Sequence, residues 1–432
     1  MFRLFSKKTY LPSVTPEDKD WIEQNMLWFI EYFGVEPVKE QPFILPSLEN
    51  FPYDNLKDPD QFRELFKQLC DALNLDPEEI VIKIFDDIQS KQWDILIPQG
   101  EFRDAAGLYN KIYETGEKRF QVQIARSNLE KPMLLISVIV HELAHVKLLG
   151  GNFLKQNEQD LEPLTDLASI FFGFGIFVAN SVVTSDFYWI SRSGYLPPQM
   201  ISYANALICY ISGKQAKDFI PFLNRNTAEL FRRDFEFLTH THDTILSETS
   251  VKAADMKFQL NLQIGRGFEN RAFGEIIEAG KKMLESDPKD ISAYNYIGYA
   301  LLQQKKYEEA IKNFTQAISI DPYWDYPYNN RGYCKLQLGD LDNAFTDIFH
   351  AFEMNQDNSY AWRNMGAYFL KVNDLSKALE HLEEAEKMQP KTELINFYLG
   401  IVNRKLGNEE KAKNYFSKSE SLKEHNDSVW TE

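Results

Sequence analysis

The chain has 432 residues, 44% apolar and 26% charged, proportions of a folded globular protein and not of a disordered or fibrous one. Its formal net charge of −17 is uneven: residues 1–256 hold 25 Lys/Arg against 37 Asp/Glu, and residues 257–432 hold 22 against 27. With no basic patch, that balance argues against nucleic-acid partners. Three scattered cysteines (Cys70, Cys209, Cys334) with no CxxC argue against a disulfide framework or a thiolate metal site.

The length accommodates two or three domains. The first ten residues lack an apolar run of signal-peptide length, so a cytoplasmic location is the expectation. Thr15-Pro16-Glu17-Asp18 is a helix start, with a Thr cap, Pro at the first helical position and acids in the first turn. That helix should end near Gly34. Residues 35–58 hold four prolines and read as loop, so residues 1–58 are taken as an N-terminal extension. A second helix fits Asp60 to Leu75, with Phe62, Leu65, Phe66 and Leu69 on one face.

Short β-forming stretches follow at Ile80–Phe85, Trp93–Ile97 and Ala106–Tyr109, then an alternating strand at Arg119–Ala125. Helices are expected at about 130–149, 162–183, 197–212 and 226–246, interrupted by Gly194-Tyr195-Leu196-Pro197-Pro198. The apolar stretch Leu167–Val183 is short for a membrane span and contains Asn180, Ser181 and two glycines. It reads as a core helix, and no membrane span is expected. Residues 59–252 read as one domain.

The helix at 130–149 carries His141-Glu142-x-x-His145. Histidines four apart share a helix face, where both can hold one metal ion. Glu142 lies beside them, where its carboxylate can take a proton from water. Seventeen residues after His145 comes Glu162-Pro-Leu-Thr-Asp166, two acids one turn apart.

The residues His141, Glu142, His145, Glu162 and Asp166 resemble the HExxH…ExxxD pattern of the thermolysin-like gluzincin peptidases. That resemblance implies an α+β zincin fold and a zinc ion held by His141, His145 and Glu162. It further implies Asp166 orienting a ligand histidine, and Glu142 as the base of peptide-bond hydrolysis on a protein or peptide substrate. Pro163 departs from the small residue common there, and Glu158 and Asp160 remain rivals for the third ligand. By the same resemblance, strand 119–125 would pair with the substrate backbone. Tyr195, His240 and His242 are possible donors to a developing oxyanion, although a lone His or Tyr is more often structural.

From about residue 257 the chain repeats. Gly298, Gly332, Gly366 and Gly400 stand 34 apart, as do Ala310, Ala344, Ala378 and Ala412, with Pro288, Pro322 and Pro390 ending units. This resembles the tetratricopeptide repeat (TPR), with four good copies and a degenerate leading one over residues 253–425. The resemblance implies an all-α solenoid that holds a protein partner in a concave groove, at Asn295, Tyr299, Asn329, Tyr333 and Arg363. The expected molecule is therefore a zinc peptidase with recruiting repeats. The alternative is a TPR scaffold whose zinc site is structural or vestigial.

Overall fold

The computed structural model describes residues 9–86, 107–114, 117–150, 160–181, 183–186, 189–192 and 195–422. The strand expected at Trp93–Ile97 lies outside them. The chain divides into two compact units, Met1–Phe258 and Gln259–Glu432.

The first unit opens with helix α1 (Pro16–Phe33), whose N-cap Thr15 accepts the amide of Asp18. A single turn at Glu36–Lys39 follows, then α2 (Pro59–Ala72), capped by Asp58. Three strands come next: β1 (Ile80–Phe85), β2 (Gly107–Glu114) and β3 (Glu117–Ala125). β3 lies in the middle, parallel to β1 with Ile80 opposite Phe120 and antiparallel to β2 with Tyr109 opposite Val122. Helices then run α3 (Pro132–Gly150), α4 (Leu161–Ser169), α5 (Gly175–Ser181), α6 (Pro198–Ser212) and α7 (Arg225–Thr241), with a small hairpin of β4 (Val183–Asp186) and β5 (Trp189–Arg192). Helix α8 (Glu248–Glu269) carries the chain out of this unit.

Apolar residues dictate the packing. α3 buries Leu135, Ile139, Val140, Leu143 and Leu148, and lies against the sheet, α4 and α5. Gly150 lets its end approach the sheet, since a Cβ there would sit 2.8 Å from the Phe120 ring. The N-terminal residues are not an appendage. Ile22, Met26, Phe29 and Ile30 of α1 join the same core as Leu143 and Phe171. The long helix expected over 162–183 is broken at Ile170–Phe174 by a wider π turn, where Gly173 takes φ +92°. A side chain at Gly173 would meet the Gln41 carbonyl at 2.8 Å.

Helix dominates this unit, and its strands, among the described residues, are one small mixed sheet and one short hairpin. The expected α+β zincin domain is corrected on that ground: the β-forming stretches make a minor element against a helical core. Two stretches, Pro132–Gly150 and Leu161–Ser181, are long and apolar enough to cross a membrane, with mean hydropathies of 1.6 and 1.5. Of their apolar windows, 67% and 89% are buried inside the unit.

The second unit is a TPR-like helical solenoid. Antiparallel pairs follow one another: α9 (Phe273–Ser286) after α8, then α10 (Ile291–Gln303) with α11 (Tyr307–Ile320), and α12 (Asp325–Gln337) with α13 (Leu341–Met354). The last pairs are α14 (Ser359–Lys371) with α15 (Leu375–Met388), and α16 (Ile395–Lys405) with α17 (Glu409–Ser421). A Cβ at Gly298, Gly332, Gly366 or Gly400 would lie 2.6–2.7 Å from Phe314, Ile348, Leu382 or Phe416. The partner is always 16 residues on, so the 34-residue period in sequence is a period of helix–helix contact.

Candidate metal centre

The HExxH segment sits mid-helix in α3, and α4 begins with Leu161-Glu162. Together they bring one donor atom each from His141, His145 and Glu162 within 4.8 Å of one another. Glu162 Oε2 stands 3.1 Å from His141 Nε2 and 3.2 Å from His145 Nε2. Asp160 is placed elsewhere, accepting the Trp21 indole N–H at 3.3 Å. Glu158 lies outside the described residues.

The other nitrogen of each imidazole is occupied. His141 Nδ1 meets Asp166 Oδ1 at 2.8 Å. The second oxygen of Asp166 accepts the amides of Tyr195 at 2.6 Å and Leu196 at 3.0 Å. One buried carboxylate thus ties a ligand histidine to the Tyr195 loop, and the Tyr195 ring stacks against His141 with centroids 5.7 Å apart. Thr165 is buried with its hydroxyl 3.3 Å from His145 Nδ1. It has no counterpart in the sequence reading, because a threonine inside a helix carries no motif.

The electrostatics follow from this enclosure. Burial opposes charge on His141, but hydrogen bonds to Asp166 and Glu162 outweigh it and raise its pKa to about 10. Burial also opposes charge on Glu162, and the two histidines lower its pKa to about 2. Glu142 is pushed up to about 7 by burial, reinforced by the charge of Glu162 against the attraction of His141. Burial, with the surrounding acids, raises the Tyr195 phenol.

This donor set fits a divalent ion: two imidazoles whose outer nitrogens are engaged and one carboxylate, the three protein ligands of an open zinc site. His240 and His242 do not join it. His240 stacks on Tyr10 and faces the Glu236 carbonyl, and His242 bonds the Tyr210 hydroxyl at 2.8 Å. β3 cannot take a substrate strand as its sequence suggested, since both of its edges are already paired.

In the repeat unit four of the five expected groove residues are hydrogen-bonded to other residues of the array. Asn329 Oδ1 accepts from Asn364 at 2.9 Å, and Arg363 donates to Asn364 at 2.7 Å and to the Glu393 carbonyl at 2.8 Å. The Arg363 guanidinium lies over the rings of Tyr333 and Tyr360. Tyr333 shares a hydroxyl contact of 2.9 Å with Tyr398. Tyr299 donates to the Glu393 carboxylate at 2.7 Å, across 94 residues of chain. The Asn295 side-chain oxygen is buried without a hydrogen-bond partner.

Comparison with protein families matches the tetratricopeptide repeat at residues 291–323. No match arises among curated proteins. Among solved structures the chain is similar to the MamA RS-1 ArsTM double mutant, at 17% identity and TM-score 0.31 over 39% of this chain and 95% of that one. It is similar also to MamA from position 41 onward of Desulfovibrio magneticus RS-1, at 18% identity and TM-score 0.31 over 40% and 98%. The gluzincin membership suggested by the HExxH…ExxxD pattern is corrected: the family match falls on a repeat, and the first unit is helical. Repeats of this kind are protein-interaction elements, and the matched one lies in the second unit.

Proposed function

We propose that this protein is a repeat-based protein-binding module whose first unit carries a divalent-metal centre, and that the centre hydrolyses amide bonds of the protein the repeats hold. One observation carries the metal reading: His141, His145 and Glu162 converge while Asp166 and Thr165 engage the outward nitrogens of both histidines. The ion, zinc by its nitrogen-and-oxygen donor set, would supply a Lewis acid for water and carbonyl when bound. Glu142, buried on the same helix, holds and returns the proton at its carboxylate. Asp166 holds His141 and the Tyr195 loop in register, with the Tyr195 ring stacked on His141, where its phenol would serve as a hydrogen-bond donor.

Metal analysis of the purified full-length protein tests this reading, with His145→Ala as its control. About one zinc per chain, lost in the variant, is expected. An untreated chain that takes up no zinc when the ion is added would remove the metal reading.

A second reading keeps the metal as a structural element of a silent scaffold. The family match to the repeat alone favours it. Cleavage of a quenched generic peptide by the zinc-loaded chain, abolished in Glu142→Gln, separates the two.

A further inference from the structure

We infer that Thr165 is a positioning residue that fixes the tautomer of His145. One helical turn, Glu162 to Asp166, then supplies the third metal donor and sets the orientation of both ligand histidines. The inference rests on the metal reading above and extends it to a residue outside the HExxH and ExxxD patterns.

The argument is one of proton counting. A threonine hydroxyl has a single hydrogen to give and two lone pairs to offer. Thr165 Oγ1 lies 2.8 Å from the Leu161 carbonyl one turn back, and 3.3 Å from His145 Nδ1. The carbonyl can only accept, so the hydroxyl hydrogen goes there. What Thr165 then presents to the imidazole is a lone pair, and the contact is satisfied only if His145 carries its proton on Nδ1. His145 Nε2 faces the Glu162 carboxylate at 3.2 Å, so a proton on Nε2 in the metal-free chain is the one a bound ion displaces, while Thr165 keeps the other proton on Nδ1. A single proton on Nε2 would instead leave Thr165 without a donor and block ligation there.

Asp166 does the same for His141 by a different route, because a carboxylate can only accept and so holds the proton on Nδ1. Both outer partners sit on α4 because a helix places residues three and four positions after Glu162 on its face. Thr165 is fully buried, so no water competes for the contact.

The experiment measures zinc affinity by chelator competition, and the His145 tautomer by imidazole 15N NMR of the metal-free chain, in the full-length protein. Thr165→Val keeps the shape and removes the acceptor. It should weaken zinc by about 10–100-fold, as loss of a partner behind a ligand does, and increase the Nε2–H form of His145. Thr165→Ser should restore both readouts, which a purely packing role would not predict. Circular dichroism confirms that each variant is folded. Wild-type protein that binds no zinc would overturn the metal reading itself. A folded Thr165→Val chain that binds zinc as wild type, with an unchanged tautomer, would overturn the role of Thr165 and leave the metal reading standing.

Discussion

Two histidines one turn apart make a metal site only when each turns a lone-pair nitrogen inward, and their neighbours decide that. The spacing of His141, His145, Glu162 and Asp166 was legible in the sequence because helical periodicity converts spacing into a shared face. Thr165 was not legible, since its role depends on which way a hydroxyl hydrogen points. His240 and His242 show the converse: residue type nominated them, but α7 and the turn after it place them against Tyr10, Glu236 and Tyr210. Two outcomes are expected at this scale. Glu142→Gln should keep zinc and lower hydrolysis by about 10²–10⁴-fold, the range for loss of a positioned base, as read by peptide cleavage with parallel metal analysis. Glu162→Ala should release zinc far more than Asp160→Ala, because only Glu162 Oε2 faces both imidazoles. Equal chelator sensitivity in those two variants would contradict the ligand assignment.

Elements were read from the sequence where one rule acted locally, and misread where partners decided. The alternation Phe120, Val122, Ile124 marked a strand, but alternation does not say how many neighbours it has, and β3 proved to be the middle one. Apolar continuity marked a helix through 162–183. The π turn at Ile170–Phe174 arises from Gly173, whose carbonyl accepts the Ile44 amide at 2.8 Å. In the solenoid the repeated glycines were legible because close approach of two helices leaves no room for a Cβ. Gly298→Ala would set a methyl 2.7–3.0 Å from three atoms of the Phe314 ring, and overpacking of this kind costs about 1–3 kcal/mol. Gly265→Ala, in α8 with open space around it, should instead be neutral or stabilise by about 0.5–1 kcal/mol. Urea unfolding of both variants checks the contrast. Similar midpoints would mean that the glycine period does not reflect helix packing.

At the scale of the molecule, the repeats are where sequence and structure agree most fully, because a 34-residue period records nearest-neighbour contacts and nothing longer. What that period cannot record is a contact between distant repeats, and the second unit has one. The Glu393 carboxylate, between α15 and α16, accepts from Tyr299 Oη at 2.7 Å and Gln303 Nε2 at 3.2 Å, both on α10, and lies 3.7 Å from Arg271 Nη2. Side chains expected to meet a partner are thereby engaged within the array, so the expected groove is bridged by its own chain. If this bridge holds the two ends together, its energy must appear as coupling and not as two separate losses. A double-mutant cycle of Tyr299→Phe and Glu393→Gln isolates it. Hydrogen bonds to a charged group contribute about 1.5–3 kcal/mol when well enclosed. Glu393 is 28% exposed at its side chain, which places the expected coupling toward the lower end. Each single variant should also raise amide exchange at residues 392–398, the segment the bridge anchors. A coupling indistinguishable from zero, with exchange unchanged, would show that the repeats hold their arrangement by neighbour contacts alone. Partners could then enter the face lined by Tyr299 and Arg363 without displacing Glu393.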